Sequence, residues 1–355
     1  MTSTTMTTTT TTDMELFFEV FVSPQPPIDI RVPFANVTLI LYHAKCTDGY
    51  VAACILARRC FQESYKFPAT MGLFGDAADH PDAEFAGEHI LVVDVIPSDI
   101  HRIIALAANI HVLDHHKSNE GKFSDCECCT FNMKDCGTSL AYKLAYPDKK
   151  FPMFIVNSWE RDTWHWVTKD SKNVMNGYMQ FMTIMPDSEL FDFTCNLING
   201  NVQALQECLE LGIKEFANQK LRIETCVTNA TVIPVRIAGR DTLYNIAMFE
   251  DGVDGFNYDD RSDLGNFVMN TLSGLDFVVM FKTATDADNT YYLALRSIKG
   301  CMDLVKENIG VNAKSSGGHP CAYGMELTEH PREYFKEAEE YFKVGGEYIK
   351  VCISK

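Results

Sequence analysis

The sequence predicts an α/β protein: a parallel-sheet domain, then a helical linker, then a second, smaller α/β domain. Three observations lead there. Short, wholly apolar runs alternate with stretches of helical periodicity between residues 37 and 146, a polar helix-prone stretch follows near residue 200, and strand-like runs resume beyond it. Strands apolar throughout imply a sheet covered on both faces, and so a parallel one.

Taken in order, VTLILYH from Val37 reads as a strand and CTDGYVAACILARR as the helix after it. HILVVD (His89 to Asp94) is a second strand and SDIHRIIALA a helix. NIHVLD (Asn109 to Asp114) is a third strand, and GTSLAYKLAY a helix with Thr138 or Ser139 near its cap. FPMFIVNSWERDTWHW reads as a helix and turn. A connecting helix is expected from about Asn199 to Glu224. VTNATVIPVRIAG, YNIAMFE, LDFVVMFK and YYLALRS are strand-like, and KSSGGHPCAYG reads as a glycine-bearing loop. The division expected is 1–34 as a flexible threonine-rich tail, 35–198 as the first domain, 199–226 as the linker and 227–355 as the second domain.

The 355 residues are 46% hydrophobic, enough to bury a core in each domain. No apolar stretch approaches the roughly 20 residues of a membrane span, and no secretion leader is evident, so a cytoplasmic protein without membrane partners is expected. A net charge of −17 disfavours long duplex nucleic acid and leaves a small phosphorylated ligand as the better match. Thirteen cysteines without a leader read as reduced thiols, and the Cys126, Cys128, Cys129 and Cys136 group fits no common zinc spacing.

In parallel sheets ligands bind beyond the carboxyl ends of the strands. The first strand ends at His43, with Asp48 five residues on; the second ends at Asp94; the third runs into Asp114, His115 and His116. A single Asp after a strand is most often a turn former. Three strands delivering carboxylates and imidazoles to one rim point instead to metal ligation. Glu160 and Asp162, beside Trp164, read by themselves as a solvated acidic pair.

In order and spacing, YHAKCTDGYVAA, LVVDVIPSD, VLDHHKS, ERDTW, LRS and SGGHPCAYG resemble the DHH phosphoesterase superfamily, from about Val37 to near the C-terminus. That superfamily includes RecJ-like exonucleases, nanoRNases, cyclic-dinucleotide phosphodiesterases and a family of inorganic pyrophosphatases. The last two motifs resemble the DHH-associated C-terminal domain, and the HxxCxDG form of the first resembles the nanoRNase and cyclic-nucleotide phosphodiesterase branch.

The resemblance implies a cleft between the domains and two divalent cations, manganese first, with zinc, iron or magnesium as alternatives. It implies His43, Asp48, Asp94, Asp114 and His115 as ligands, with Asp94 as the bridge and His116 as an orienting partner. Asp94, Asp114, His115 and His116 make the catalytic set. Glu160 is named first as the fourth-motif ligand and Asp162 as its substitute. Arg296, Ser316, Gly317, Gly318 and His319 are implied to hold phosphate.

Cys46 stands where many members carry an earlier Asp, either as a softer ligand or as a non-ligand. The implied activity is hydrolysis of short oligoribonucleotides or linear or cyclic dinucleotides to nucleoside monophosphates. The alternatives are a nucleotide bisphosphate phosphatase and a binding protein without turnover. A homodimer is left open.

Overall fold

A computed structural model describes residues 20–21, 28, 30–73, 77–121, 128–237, 243–284, 290–298, 315–319, 321–337, 341–344 and 347–350. The chain divides into two units, Met1–Phe216 and Ala217–Lys355. The threonine tract lies outside the described residues.

The first unit is built on a five-stranded parallel sheet in the order β2-β1-β3-β4-β5. Its strands are β1 Leu39–His43, β2 Ala69–Leu73, β3 His89–Val93, β4 Asn109–Asp114 and β5 Cys129–Phe131. The middle strands β1, β3 and β4 are those legible as apolar runs. Edge strand β2 (ATMGL) is half exposed and carries no such run, so periodicity missed it.

Helices α1 Thr47–Ser64, α2 Ile100–Leu106 and α3 Gly137–Ala145 alternate with the strands. Behind them come α4 Met153–Thr163, α5 Ser171–Ile184 and α6 Asp187–Ile198. One apolar layer gathers Ile40, Leu91, Val93 and Leu113 against α1 and α3; the other gathers Leu39, Leu41, Val92 and Val112 against Ile100 and Ile103. Alternate residues of each strand feed opposite layers, as the pleat requires.

Ile28, Ile30 and Phe34 pack against the first layer and Val32 is fully buried within it. Packing therefore begins earlier than residue 35, because these alternating apolar side chains find the helical face of the sheet. Val20 is likewise buried beside Cys136 and Trp159.

Helix α7, Val202–Asn229, fills the region expected to connect the domains. The second unit holds a seven-stranded mixed sheet in the order β10-β11-β9-β8-β7-β6-β12. These strands are β6 Val232–Ile237, β7 Leu243–Glu250, β8 Phe277–Thr283, β9 Tyr291–Arg296, β10 Ser315–His319, β11 Ala322–Leu327 and β12 Phe335–Glu337. Helix α8, Arg261–Thr271, covers one face, packing Leu264, Val268 and Met269 on Val278 and Met280. A short helix α9, Pro331–Tyr334, precedes β12, and β13 Tyr341–Val344 pairs with β14 Glu347–Lys350.

The Ser315–His319 segment, expected as a loop, is instead the edge strand of this sheet, with Gly317 opposite Gly324. Backbone pairing with β11 overrides the loop signal of two adjacent glycines. Among the described residues no helix is long and apolar enough to cross a membrane. Cys129 and Cys136 are free thiols, whereas Cys128 is disulfide-bonded, unlike the uniformly reduced state expected.

Candidate metal centre

The strand order reverses direction between β1 and β3, the crevice where open α/β sheets bind ligands. Tyr42 lies opposite Val93, and Val93 opposite Leu113, so His43, Asp94 and Asp114 follow side by side at the strand ends. Asp94 turns the chain with a φ of 61°, in the left-handed region that an Asp tolerates better than most residues. Its carboxylate is buried.

The two oxygens of Asp94 face two different groups. Oδ1 lies 3.0 Å from His115 Nε2, and Oδ2 lies 3.5 Å from His43 Nδ1. On the first side, His115 Nε2 is also 3.8 Å from Asp48 Oδ2 and 3.6 Å from Asp162 Oδ2. On the second, Cys46 joins His43 and Asp94, with one donor atom from each of the three within 4.8 Å of the others.

Asp48 sits in the first turn of α1 and is fixed by the start of α3. Its Oδ2 accepts from Gly137 N at 2.5 Å and its Oδ1 from Thr138 N at 2.9 Å. Thr138 Oγ1 also donates to the Asp48 carbonyl and pairs with Ser158 Oγ on α4, so three helices meet at this carboxylate. Trp159 Nε1 donates to the Lys134 carbonyl and anchors the helix that carries Asp162.

The donor set fits divalent cations. His43 Nδ1, Asp94 Oδ2 and Asp162 Oδ2 are buried atoms that make no hydrogen bond. His43 Nδ1 and Asp94 Oδ2 stand 3.5 Å apart and Asp162 Oδ2 stands 3.6 Å from His115 Nε2, beyond ordinary hydrogen-bond length. Ligand atoms around one ion stand roughly 3–4 Å apart, which matches.

The electrostatics agree. Burial, and then the charges of Asp94 and Asp162, push Asp48 up to about 8. Burial opposes the charge on His115, but Asp162 and Asp94 raise it to about 10; Cys46 and Asp94 likewise hold His43 at about 11 against burial. Asp94 is also buried, yet the facing His115 and His43 rings hold it well below the carboxylate range. Protons occupy positions that cations could take.

Two expectations change. Asp114, implied as a ligand, faces other partners: its Oδ1 accepts from His116 Nδ1 and its Oδ2 from Asn119 Nδ2, each at 2.8 Å. It belongs to no group of donor atoms capable of sharing an ion among the described residues. The pairing makes it the group that sets the His116 tautomer.

Glu160, named ahead of Asp162, also points away. Its carboxylate accepts from Val167 N, Thr168 N and Thr168 Oγ1 at 3.1, 2.7 and 2.8 Å. Residues two apart on a helix lie roughly 200° around it, so only one of the two acids can face the centre. We expect Asp162→Asn to lower metal affinity about 10–100-fold or more. Glu160→Gln should instead cost about 1–3 kcal/mol of stability by weakening buried acceptors. Calorimetric metal titration and thermal melts of both variants separate the roles; equal metal loss in the two would refute this assignment.

Sequence reasoning passed over Gly137. A Cβ there would stand 2.6 Å from Asp94 Cβ and 2.8 Å from Asp48 Oδ2. Glycine thus lets the start of α3 approach both carboxylates, and only its place at the head of the GTS helix hinted at this. Gly137→Ala is expected to lower metal affinity about 10–100-fold by displacing them, with the fold kept by circular dichroism. Metal affinity within a factor of about two would show that the close approach has no positioning role.

Of the residues implied to hold phosphate, Arg296 donates to Ser262 Oγ at 2.9 Å and to the Leu295 carbonyl at 2.9 Å, and packs over Gly265. Ser316, Gly317, Gly318 and His319 lie on β10, and their side chains are outside the described set.

No family model matches the chain. The uncharacterized protein R106 of Acanthamoeba polyphaga mimivirus is 22% identical over 316 residues, covering 82% of this chain and 68% of that one. The DHH-domain structure of a member of a family of ribosomal proteins aligns with TM-score 0.53 at 12% identity, over 89% of this chain and 93% of that one. The exonuclease RecJ bound to manganese aligns with TM-score 0.42 at 10% identity, over 82% and 86%. The chain therefore has the fold of DHH-domain proteins, with a His, Asp and Cys centre at its sheet reversal.

Proposed function

We propose that the chain is a metal-dependent phosphoester hydrolase of the nanoRNase type, cleaving short oligoribonucleotides or linear or cyclic dinucleotides to nucleoside monophosphates. The observation that carries the reading is Asp94, whose two oxygens face separate sets of donors on opposite sides. A carboxylate so placed suits a bridge between two cations.

His43 and Cys46 on one side, and Asp48, His115 and Asp162 on the other, would complete the two positions. When bound, such a pair supplies hydroxide at neutral pH and clamps the attacking and leaving oxygens. The chain's own part is to hold these groups still. Gly137 and Thr138 N–H groups fix Asp48, and Asp114 fixes the His116 ring beside Asp94 and His115. In the second unit Arg296 is proposed as a phosphate contact, as the resemblance to DHH proteins implies.

The test is hydrolysis of pApA, a cyclic dinucleotide, a nucleoside bisphosphate and pyrophosphate with manganese, beside Asp114→Ala. Turnover of pApA above the others, reduced at least about 10-fold in the variant, is expected. Preference for the bisphosphate would replace the diesterase reading with a phosphatase, and no turnover with manganese, zinc or iron would leave a binding protein.

A further inference from the structure

The two sides of the centre offer different chemistry. Asp48, His115 and Asp162 form one group of mostly hard oxygen donors, with Asp94 Oδ1 3.0 Å from its His115, whereas His43 and Asp94 share their group with the Cys46 sulfur. Oxygen donors suit manganese or magnesium; thiolate with imidazole suits zinc or ferrous iron.

The local fold turns Cys46 toward that side. It occupies the N-cap of the 18-residue helix α1, in extended conformation, and its side chain makes no capping hydrogen bond. An N-cap side chain would ordinarily be turned back onto the first helical N–H groups. Lys45, immediately before it, adopts a φ of 51°, a left-handed conformation disfavoured for a long side chain. Cys46, the next residue, shares a group of donor atoms with His43 and Asp94. Asp94, across the group, uses a left-handed turn as well. Asp94 Oδ2 and His43 Nδ1, buried atoms that make no hydrogen bond, belong to the same trio.

We propose that the centre is asymmetric: His43, Cys46 and Asp94 form a thiolate-containing position selective for zinc or ferrous iron, and Asp48, Asp94, His115 and Asp162 form a position for manganese or magnesium. This rests on the two-cation reading above and deepens it. As the ion binds at the first position, the Cys46 S–H bond breaks, the proton passes to solvent and the sulfur lone pair forms the ligand bond. A preparation loaded with manganese alone would then be filled unevenly.

The experiment is cobalt(II) titration of the metal-free full-length protein, read by absorption spectroscopy. Bound cobalt is expected to give visible d–d bands together with a near-ultraviolet sulfur-to-cobalt charge-transfer band. Cys46→Ser and Cys46→Asp should both lose the charge-transfer band and keep d–d absorption from the second position.

Cys136→Ser is the control for the other thiol near the centre, buried at the cap of α3 beside Asp48, and should retain the band. Competition between zinc and manganese should show the preference for zinc falling about 10–100-fold or more in Cys46→Asp. Two outcomes overturn the proposal while leaving a metal centre standing: d–d bands in the unaltered protein without charge transfer, or a charge-transfer band that survives in Cys46→Asp. Failure to bind cobalt at all would overturn the two-cation reading together with it.

Discussion

Asp94→Asn is expected to lower phosphoester hydrolysis by at least about 10²–10³-fold, the scale for losing one preorganised charge-stabilising group. Asparagine is the informative replacement because it tolerates the left-handed φ of 61° that residue 94 adopts; alanine would add backbone strain to lost ligation. The amide keeps the size of the carboxylate and one acceptor oxygen, so the fold should remain. What it cannot do is present anionic oxygens to His43 and His115 at once. Metal analysis should show both cation positions weakened, unlike Asp162→Asn, which touches one. Full activity in Asp94→Asn, or loss of only one bound equivalent, would remove the bridging role.

Chelation should have the second large effect, this time on stability. At a cation concentration about 100 times the dissociation constant, binding stabilises by about 2.7 kcal/mol, so stripping the ions should lower the melting temperature of the first unit by about 5–10 °C. The effect should grow with pH. In the metal-free fold Asp48 is held at about 8 against 3.8 when unperturbed, so the folded state keeps a proton that the unfolded state has released. Its contribution is present below 3.8 and lost as pH rises through about 8.

His115, held at about 10 against 6.5, contributes stability that is complete below 6.5 and lost as pH rises through about 10. The stripped protein should therefore weaken with rising pH through neutrality. Cations, which displace those protons, should bind more tightly over the same range. Melting curves with and without manganese at two pH values across neutrality measure both trends. A stripped protein as stable as the loaded one at every pH would argue against a metal centre.

Much of this centre was legible in the sequence. Three apolar runs long enough only for strands, each ending in Asp or His, located the rim, since parallel strands place their carboxyl ends together. The helices after them announced themselves by period. Elements without those marks were silent: β2 is half exposed, and α5, α6 and α8 were passed over, although α5 and α6 pack behind the helices of the first unit and α8 packs on the sheet of the second. The Ser315–His319 strand was hidden because glycine-rich composition signals a turn, while pairing with β11 is a long-range fact.

What the sequence determined alone was the chemistry available and the order in which strands deliver it: His43 and Asp48, then Asp94, then Asp114 with two histidines. Tertiary structure decided which of those groups meet. The order β2-β1-β3-β4-β5 sets β1 beside β3, and so His43 beside Asp94, although a strand and more than forty residues separate them in the chain. It turned Asp162 inward and left Glu160 to the Val167–Thr168 backbone, and it placed Asp114 behind His116. Periodicity reports the face on which a side chain stands, whereas the partner of a carboxylate is settled by competition among donors that only the folded chain brings within roughly 3 to 4 Å.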